Sequence, residues 1–284
     1  DIDADLLDAA ALASDDDVIF SWTPFEVPKG SSRLLGVTAR VAGNDGTAQH
    51  HAFQLLFAKS KVNVNTGAMS NPTSIGEYNT VATFLPSVNE AIGSLKIEAI
   101  DYMCQSLVGA SLASTGNSVA ANGSNIDMVL TPTGTDHANY LNGSTVTTIT
   151  PGYDILWVAG VACGAMNFAS TVTSDGTATA SATTIHTDTK DANLVFSPGD
   201  VIQEVDNTVI GTIVSIGSPD TADVDIVVNR GGATTGLKGD GQSLADGVKI
   251  YHRNPITLIL FRIIIHHIKK TAPINRGGLL SLAI

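Results

Sequence analysis

The chain has 284 residues, of which 43% are hydrophobic and only 15% are charged. It can therefore build a substantial core, while its surface relies on small polar residues and on 27 glycines, a composition that favours strands and turns over helices. The formal net charge of −12 argues against nucleic acid and anionic membranes as partners, because such a surface repels phosphate groups. The two cysteines, Cys104 and Cys163, form neither a disulfide framework nor a zinc-binding spacing.

The acidic start of the chain is predicted to form a short helix. Its apolar residues fall at helical spacing: Ile2, Leu6, Ala9 and Ala13. The early aspartates would also favour the positive end of a helix dipole. We therefore assign residues 1–17 to an N-terminal acidic arm, with a helix over residues 1–13.

From residue 18 the pattern changes to that of strands. A first strand begins at Val18 and is expected to end at Pro24, which lacks a backbone donor. A second strand, residues 33–41, is predicted to place Leu35 with Val37 on one face. A third strand covers residues 53–58, and the Asn-Asp-Gly turn before it predicts a hairpin with the second strand.

Long polar stretches separate these strands from a strongly apolar one. Residues 60–92 and 109–127 read as exposed loops, since they are rich in Ser, Asn and Gly. Residues 153–166 are nearly all apolar, which is typical of a core strand buried on both faces. The apolar run of residues 256–268 is shorter than the roughly 20 residues of a membrane-spanning helix, so we interpret it as a long buried strand.

Short strands and turns follow one another most regularly in residues 194–251. Turn residues at 197–200 and 217–220 flank a predicted strand at 209–216, and a further alternating strand runs from Val224 to Val228. This spacing indicates a small barrel or meander. The predicted fold class is thus mainly β. A β-sandwich or jelly-roll-like domain comprises residues 18–168 and 252–284, and it carries a small inserted β-barrel or meander module at residues 169–251.

Patterns that would indicate catalysis or a cofactor are weak. The glycine-rich stretch 231–238 has Leu237 where a phosphate loop needs its lysine, so a flexible turn fits it better. Adjacent histidines such as His50-His51 point to opposite faces of a strand and cannot chelate one metal, which favours surface or interface roles. The aspartate runs raise a structural calcium site as an alternative, but they lack the central Gly and terminal Glu of a calcium loop. We expect no catalytic residues, no metal and no cofactor.

Two sets of segments resemble virion proteins of tailed phages, particularly those of marine cyanobacteria. The first set comprises Phe20-Ser21-Trp22-Thr23-Pro24-Phe25, Val27-Pro28-Lys29-Gly30, Leu35-Gly36-Val37 and Leu55-Leu56-Phe57-Ala58-Lys59. The second comprises Phe196-Ser197-Pro198-Gly199-Asp200-Val201-Ile202, Ile210-Gly211-Thr212-Ile213, Asp246-Gly247-Val248-Lys249-Ile250-Tyr251 and Asn254-Pro255-Ile256. The resemblance implies a non-enzymatic capsid decoration or cement protein that binds the major capsid protein on the outer surface of the head, as a homo-oligomer. It carries over no active site.

Charge and loop position select the candidate interface residues. Acid concentrates at the start of the chain and base near its end, an asymmetry that suits head-to-tail contacts between copies. With two aromatics of the 60–92 loop, the candidates are Asp3, Asp5, Asp8, Tyr78, Phe84, Arg262, His266, Lys269 and Lys270. The alternatives are a tail, tail-tube or head-fibre component, and, from another class, a carbohydrate-binding β-sandwich. The last ranks lower because Trp22 and Trp157 are predicted to lie in the core and only 5% of residues are aromatic.

Overall fold

The computed structural model describes parts of the chain between residues 2 and 264, and strands predominate in them. The described residues are 2–4, 12–13, 17–30, 32–42, 50, 52–59, 61–62, 69–70, 91–102, 110–115, 128–131, 138–142, 145–168, 172–179, 182–188, 192–206, 208–217, 224–229 and 243–264.

In the described part, strand follows strand with very little helix between them. In order they are Ile2–Ala4 (β1), Leu12–Ala13 (β2), Val18–Pro28 (β3), Ser32–Ala42 (β4), Phe53–Lys59 (β5), Lys61–Val62 (β6), Met69–Ser70 (β7), Ala91–Ile97 (β8), Ala110–Thr115 (β9), Met128–Leu130 (β10), Asn139–Asn142 (β11), Thr145–Thr148 (β12), Tyr153–Ala162 (β13), Met166–Asn167 (β14), Thr184–Thr187 (β15), Val201–Gln203 (β16), Val209–Ile216 (β17), Val224–Asn229 (β18), Tyr251–His252 (β19) and Ile256–Ile264 (β20). Helical structure in these residues is confined to a 3-10 turn at Ala99–Asp101 and a single helical turn at Ala192–Val195 (α1). The predicted mainly β fold class is confirmed.

Three stacked sheets form the larger part of the fold. The front sheet has the order β1-β20-β4-β10, with β9 also paired to β4. The central sheet has the order β3-β13-β5-β8, and the back sheet has the order β12-β11-β7-β6. This layering is consistent with the sandwich-like class that the alternating strands predicted, because two apolar sheet faces must pack against each other.

The middle strand β13 is buried on both faces, as its apolar run predicted. Leu156 and Val158 belong to a core that also contains side chains of β4 and β20 in the front sheet. Their neighbours Ile155 and Trp157 point to the other face, where they form a second core with Tyr140 of the back sheet packed against it. Strict alternation along one strand thus supplies both cores.

Three predictions about the early strands are wrong, each for a geometric reason. Strand β3 continues through Pro24 to Pro28, because β3 is an edge strand of the central sheet, where a missing donor is tolerated. Strands β4 and β5 do not pair as a hairpin; they belong to different sheets. A register shift against β20 places Leu34 rather than Leu35 in the core with Val37.

The predicted N-terminal helix is also wrong at the residues described. Strand β1 pairs antiparallel with β20, and β2 pairs with β14. The alternation of aspartate with apolar residues at positions 1–5 fits a strand as well as a helix, and tertiary pairing decides between them. Part of the expected 109–127 loop is likewise a strand: β9 pairs with β4, and its Ala113 is fully buried.

Residues 172–252 form a further sheet that has a hydrophobic core of its own. Its sheet has the order β15-β18-β17-β16-β19, and isolated bridges such as that between Ala178 and Leu244 lie outside these strands. The predicted strands at 209–216 and 224–228 are confirmed. The core members are Val172, Ile185, Ala192, Val195, Phe196, Ile202, Ile210, Ile213, Val224, Ile226, Val228, Leu244 and Ile250. We call this part the inserted module.

Among the described residues, no helix reaches the length and apolar character that crossing a bilayer as a helix requires.

A glycine in β13 gives the first test of this packing. A Cβ on Gly160 would lie 2.6 Å from Cδ1 and 2.7 Å from Cζ of the Phe20 ring, and closer still to Cε1. We expect Gly160→Ala to lower the free energy of unfolding by about 1–3 kcal/mol, because overpacking forces the ring or the backbone to move. Urea denaturation followed by tryptophan fluorescence measures it.

The matched control is Gly93→Ala in the same sheet. There the nearest atom is Met128 Cε at 3.1 Å, the far end of a flexible side chain, so the loss should stay under about 1 kcal/mol. Equal losses in the two variants would contradict the close contact with Phe20.

Candidate functional site

The predicted interface residues fall mostly outside the described part of the chain. The structure describes Asp3 on β1 and Arg262 on β20 at the level of the backbone. Asp3 lies opposite Thr257, while Arg262 pairs with Leu34 of β4 on the other side of β20. Asp3 and Arg262 therefore both belong to the front sheet, but they lie at different levels along β20. Outside the described residues lie Asp5, Asp8, Tyr78, Phe84, His266, Lys269 and Lys270.

A partly buried polar cluster joins the inserted module to the front sheet. An Arg40 guanidinium nitrogen lies 3.2 Å from Asp200 Oδ1, and the other carboxylate oxygen of Asp200 lies 3.6 Å from Nδ1 of His252. Arg40 belongs to β4, whereas Asp200 precedes β16 in the module. We call Arg40, Asp200 and His252 the junction cluster.

The module holds the two inner members of this cluster in place. The backbone N–H of Ser197 donates to Asp200 Oδ2 at 2.8 Å, so the predicted turn at 197–200 aims the carboxylate. Nε2 of His252 lies 3.0 Å from the Val195 carbonyl oxygen and donates to it, and the imidazole contacts the Phe196 ring at 4.6 Å between centroids. His252 is thus a buried residue at the junction, although the basic stretch around it does not mark it as buried in the sequence.

Burial controls the protonation of His252. The lost solvation lowers the pKa of its imidazole, and the nearby Asp200 carboxylate opposes this shift only in part. A neutral imidazole with its proton on Nε2 satisfies the Val195 carbonyl. In this form Nδ1 carries no proton for Asp200, so the attractive link between the module and the front sheet is the ion pair of Arg40 with Asp200.

An open cleft lies where the edges of the three stacked sheets come together. Its volume is about 610 Å³, and its walls include Pro24 and Glu26 of β3, Tyr140 of β11, Thr147 of β12, Tyr153 of β13 and Ile259 of β20. We call it the edge cleft. Glu26 accepts a hydrogen bond from the Thr150 backbone N–H at 2.8 Å, and Tyr140 meets the buried Trp157 edge-on.

The described lining of the edge cleft consists mainly of apolar, tyrosine and threonine side chains. Among its described lining residues Glu26 is the one carboxylate, so they provide no pair of carboxyl groups for acid–base cleavage of a glycoside. Tyrosine rings and threonine hydroxyls suit recognition of a polar ligand or a polypeptide backbone. Trp22 and Trp157 are buried, as predicted, and they do not line this cleft.

Metal-ligating side chains do not cluster in the described part of the chain. No group of three or more His, Cys, Asp or Glu residues there could hold a metal ion. His186 instead forms an exposed pair with Asp225, with 2.6 Å between Nδ1 and Oδ1.

Comparison of the sequence with protein-family models finds no match, and comparison with curated proteins finds none either.

Mild acid is expected to destabilise the protein through His252. The unfolded chain takes up a proton on this side chain near pH 6.5, whereas the folded protein does so only at lower pH, because burial lowers the pKa. The free energy of unfolding should therefore fall as the pH drops below about 6.5. Melting temperatures between about pH 8 and about pH 5 measure this dependence.

A variant separates this effect from other titrations. In His252→Gln the fall should be shallower than in the wild type, because the buried imidazole is removed. A wild-type slope in His252→Gln would contradict the assignment.

Proposed function

We propose that this chain is a non-enzymatic structural protein of a tailed-phage virion, most simply a decoration or cement protein on the exterior of the head. Its partners would be the major capsid protein and further copies of itself. The proposal starts from the resemblance of its segments to virion proteins. The first set of these segments falls on β3, β4 and β5, and the second falls on the inserted module and the start of β20.

The observation that carries the proposal is the joining of two separately cored β parts by the junction cluster. The stacked sheets and the inserted module each bury their own apolar residues. Arg40 and Asp200 then link them, with the Asp200 side chain only 10% exposed. A protein that covers a shell needs rigid parts held in one orientation and broad surfaces, and this arrangement supplies both.

The charge of the chain supports the same role. A net charge of −12 disfavours contact with packaged DNA and suits the outer side of a shell. A tail, tail-tube or head-fibre position is the alternative within the virion, and it differs in the number of copies per particle.

The copy number in purified phage particles tests the proposal. We expect quantitative mass spectrometry of gradient-purified particles to find this chain at a fixed simple ratio to the major capsid protein. A few copies to some tens per particle would instead favour the tail or fibres. Absence from the particles would refute the virion role.

A carbohydrate-binding module is the second candidate, and the edge cleft favours it. Tyr140 and Tyr153 are both partly exposed there, beside threonine hydroxyls and Glu26. Aromatic rings with nearby hydroxyl and carboxylate groups are what sugar binding requires. It stays second because the two tryptophans, the best stacking residues, are buried.

Glycan-array binding followed by titration of any hit tests this candidate. If it is right, Tyr153→Ala should weaken binding at least about tenfold, because the ring surface is lost. Tyr153→Phe keeps the ring and should bind within about threefold of the wild type. Binding that does not change in Tyr153→Ala, or no binding on the array, would exclude the edge cleft as a sugar site.

A further inference from the structure

Asp200 lies between two basic side chains that belong to different parts of the molecule. Its Oδ1 lies 3.2 Å from a guanidinium nitrogen of Arg40, which β4 of the front sheet carries. Its Oδ2 lies 3.6 Å from Nδ1 of His252, which belongs to the inserted module, as Asp200 itself does. This carboxylate therefore faces one cation across the junction and one imidazole within the module.

The protonation state of His252 decides whether the contact within the module is attractive. In the neutral form Nε2 donates to the Val195 carbonyl oxygen, so Nδ1 has no proton for Asp200. In the protonated form both ring nitrogens carry a proton. Nδ1 can then donate to Asp200 in a charge-assisted hydrogen bond once the gap between them narrows. Acid thus gives Asp200 a cationic partner inside the module.

The two basic side chains oppose each other. Among the described residues packed on His252, Ile202 of β16 and Val195 of α1 are uncharged. Burial lowers the pKa of His252 most, the Asp200 carboxylate raises it, and the Arg40 guanidinium lowers it further. Coupling between two sites is reciprocal, so a proton on His252 weakens the hold of Arg40 on the module by the same free energy.

A short connection beside the junction cluster supplies a pivot. Residues 253–255 link β19 to β20, and Arg40 lies opposite Thr257 near the start of β20. The Arg253 backbone N–H donates to a carbonyl oxygen of β16 in the module, while the Pro255 carbonyl oxygen accepts from the last residue of β4. The two ends of this connection are thus anchored on different parts, and a change in their relative orientation falls between the anchors.

We propose that the junction cluster is a proton-released latch between the inserted module and the front sheet. With His252 neutral, the ion pair of Arg40 with Asp200 holds the two parts together. When His252 takes up a proton from solvent, it replaces Arg40 as the partner of Asp200. Arg40, already 30% exposed, moves into water, and the module turns about residues 253–255. The latch belongs to this chain alone and does not depend on the virion role.

Histidine NMR of the full chain tests the competition between the two basic groups. With isotope-labelled histidine, the imidazole signal that is missing from His252→Gln identifies His252, and its titration gives the pKa. Arg40→Gln removes the competing cation, so this pKa should rise above the wild-type value. Lys96→Gln is the matched control: it removes a cation from the exposed pair with Glu98 and should leave the pKa unchanged. An unchanged pKa in Arg40→Gln would overturn the proposal.

Energy transfer between two dyes reports the orientation of the module. The dyes are attached at Val214→Cys in β17 and Val129→Cys in β10, two exposed positions, in a chain whose Cys104 and Cys163 are replaced by serine. The pH is lowered from about 8 to about 5, the range in which histidines titrate. We expect the transfer efficiency to change before the tryptophan emission reports unfolding.

Two variants in the same labelled chain separate the latch from general acid effects. Arg40→Gln should show the acid value of the transfer efficiency over the whole pH range, because its latch is already open. His252→Gln should keep the neutral value throughout, since its amide still donates to the Val195 carbonyl oxygen but takes up no proton. A wild-type change that is absent or coincides with unfolding, or a change that persists in His252→Gln, would refute the latch.

Discussion

The architecture depends on the burial of β13 on both faces. Leu156 and Val158 face one core, while Ile155 and Trp157 face the other, so neither face of the central sheet can be left to water. Each large side chain buried in this way contributes about 1.5–3 kcal/mol relative to exposure. The front sheet and the back sheet cover these two faces, and the chain must therefore cross between layers several times. That need explains why β4 and β5, although consecutive, lie in different sheets.

The junction cluster lies where the inserted module meets the front sheet. The inserted module leaves the stacked sheets after Phe168 and returns through β19 into β20, so its position is fixed close to the front sheet by its own chain ends. The junction cluster also favours one orientation of the module relative to the front sheet. Ion pairs of this kind contribute little net stability, because desolvation offsets their attraction, but they penalise misaligned arrangements that would leave Asp200 unpaired. The cluster therefore affects the orientation of the module more than it changes the free energy of folding.

Local sequence patterns predicted the strands that depend only on their own residues. The uninterrupted apolar run predicted β13, and simple alternation predicted β17 and β18, since each of these strands is read from its own residues. Pro24 within β3 was not predictable, because whether a strand lies at an edge depends on the order of the whole sheet. The strand at Ile2–Ala4 was missed for a related reason: its partner lies more than two hundred and fifty residues away in sequence. The junction cluster and the edge cleft draw on residues from distant elements, so no spacing in the sequence marks them.

The pairing of β1 with β20 changes how the distribution of charge along the chain is interpreted. Read along the sequence, the aspartates and the basic residues lie at opposite ends of the chain, which suggests contacts between separate surfaces. The front sheet instead pairs the first described strand with the last, and it places Asp3 opposite Thr257. A net charge of −12 makes separate copies repel one another at long range, and salt screens this repulsion. This repulsion disfavours indiscriminate pairing of apolar strands between copies.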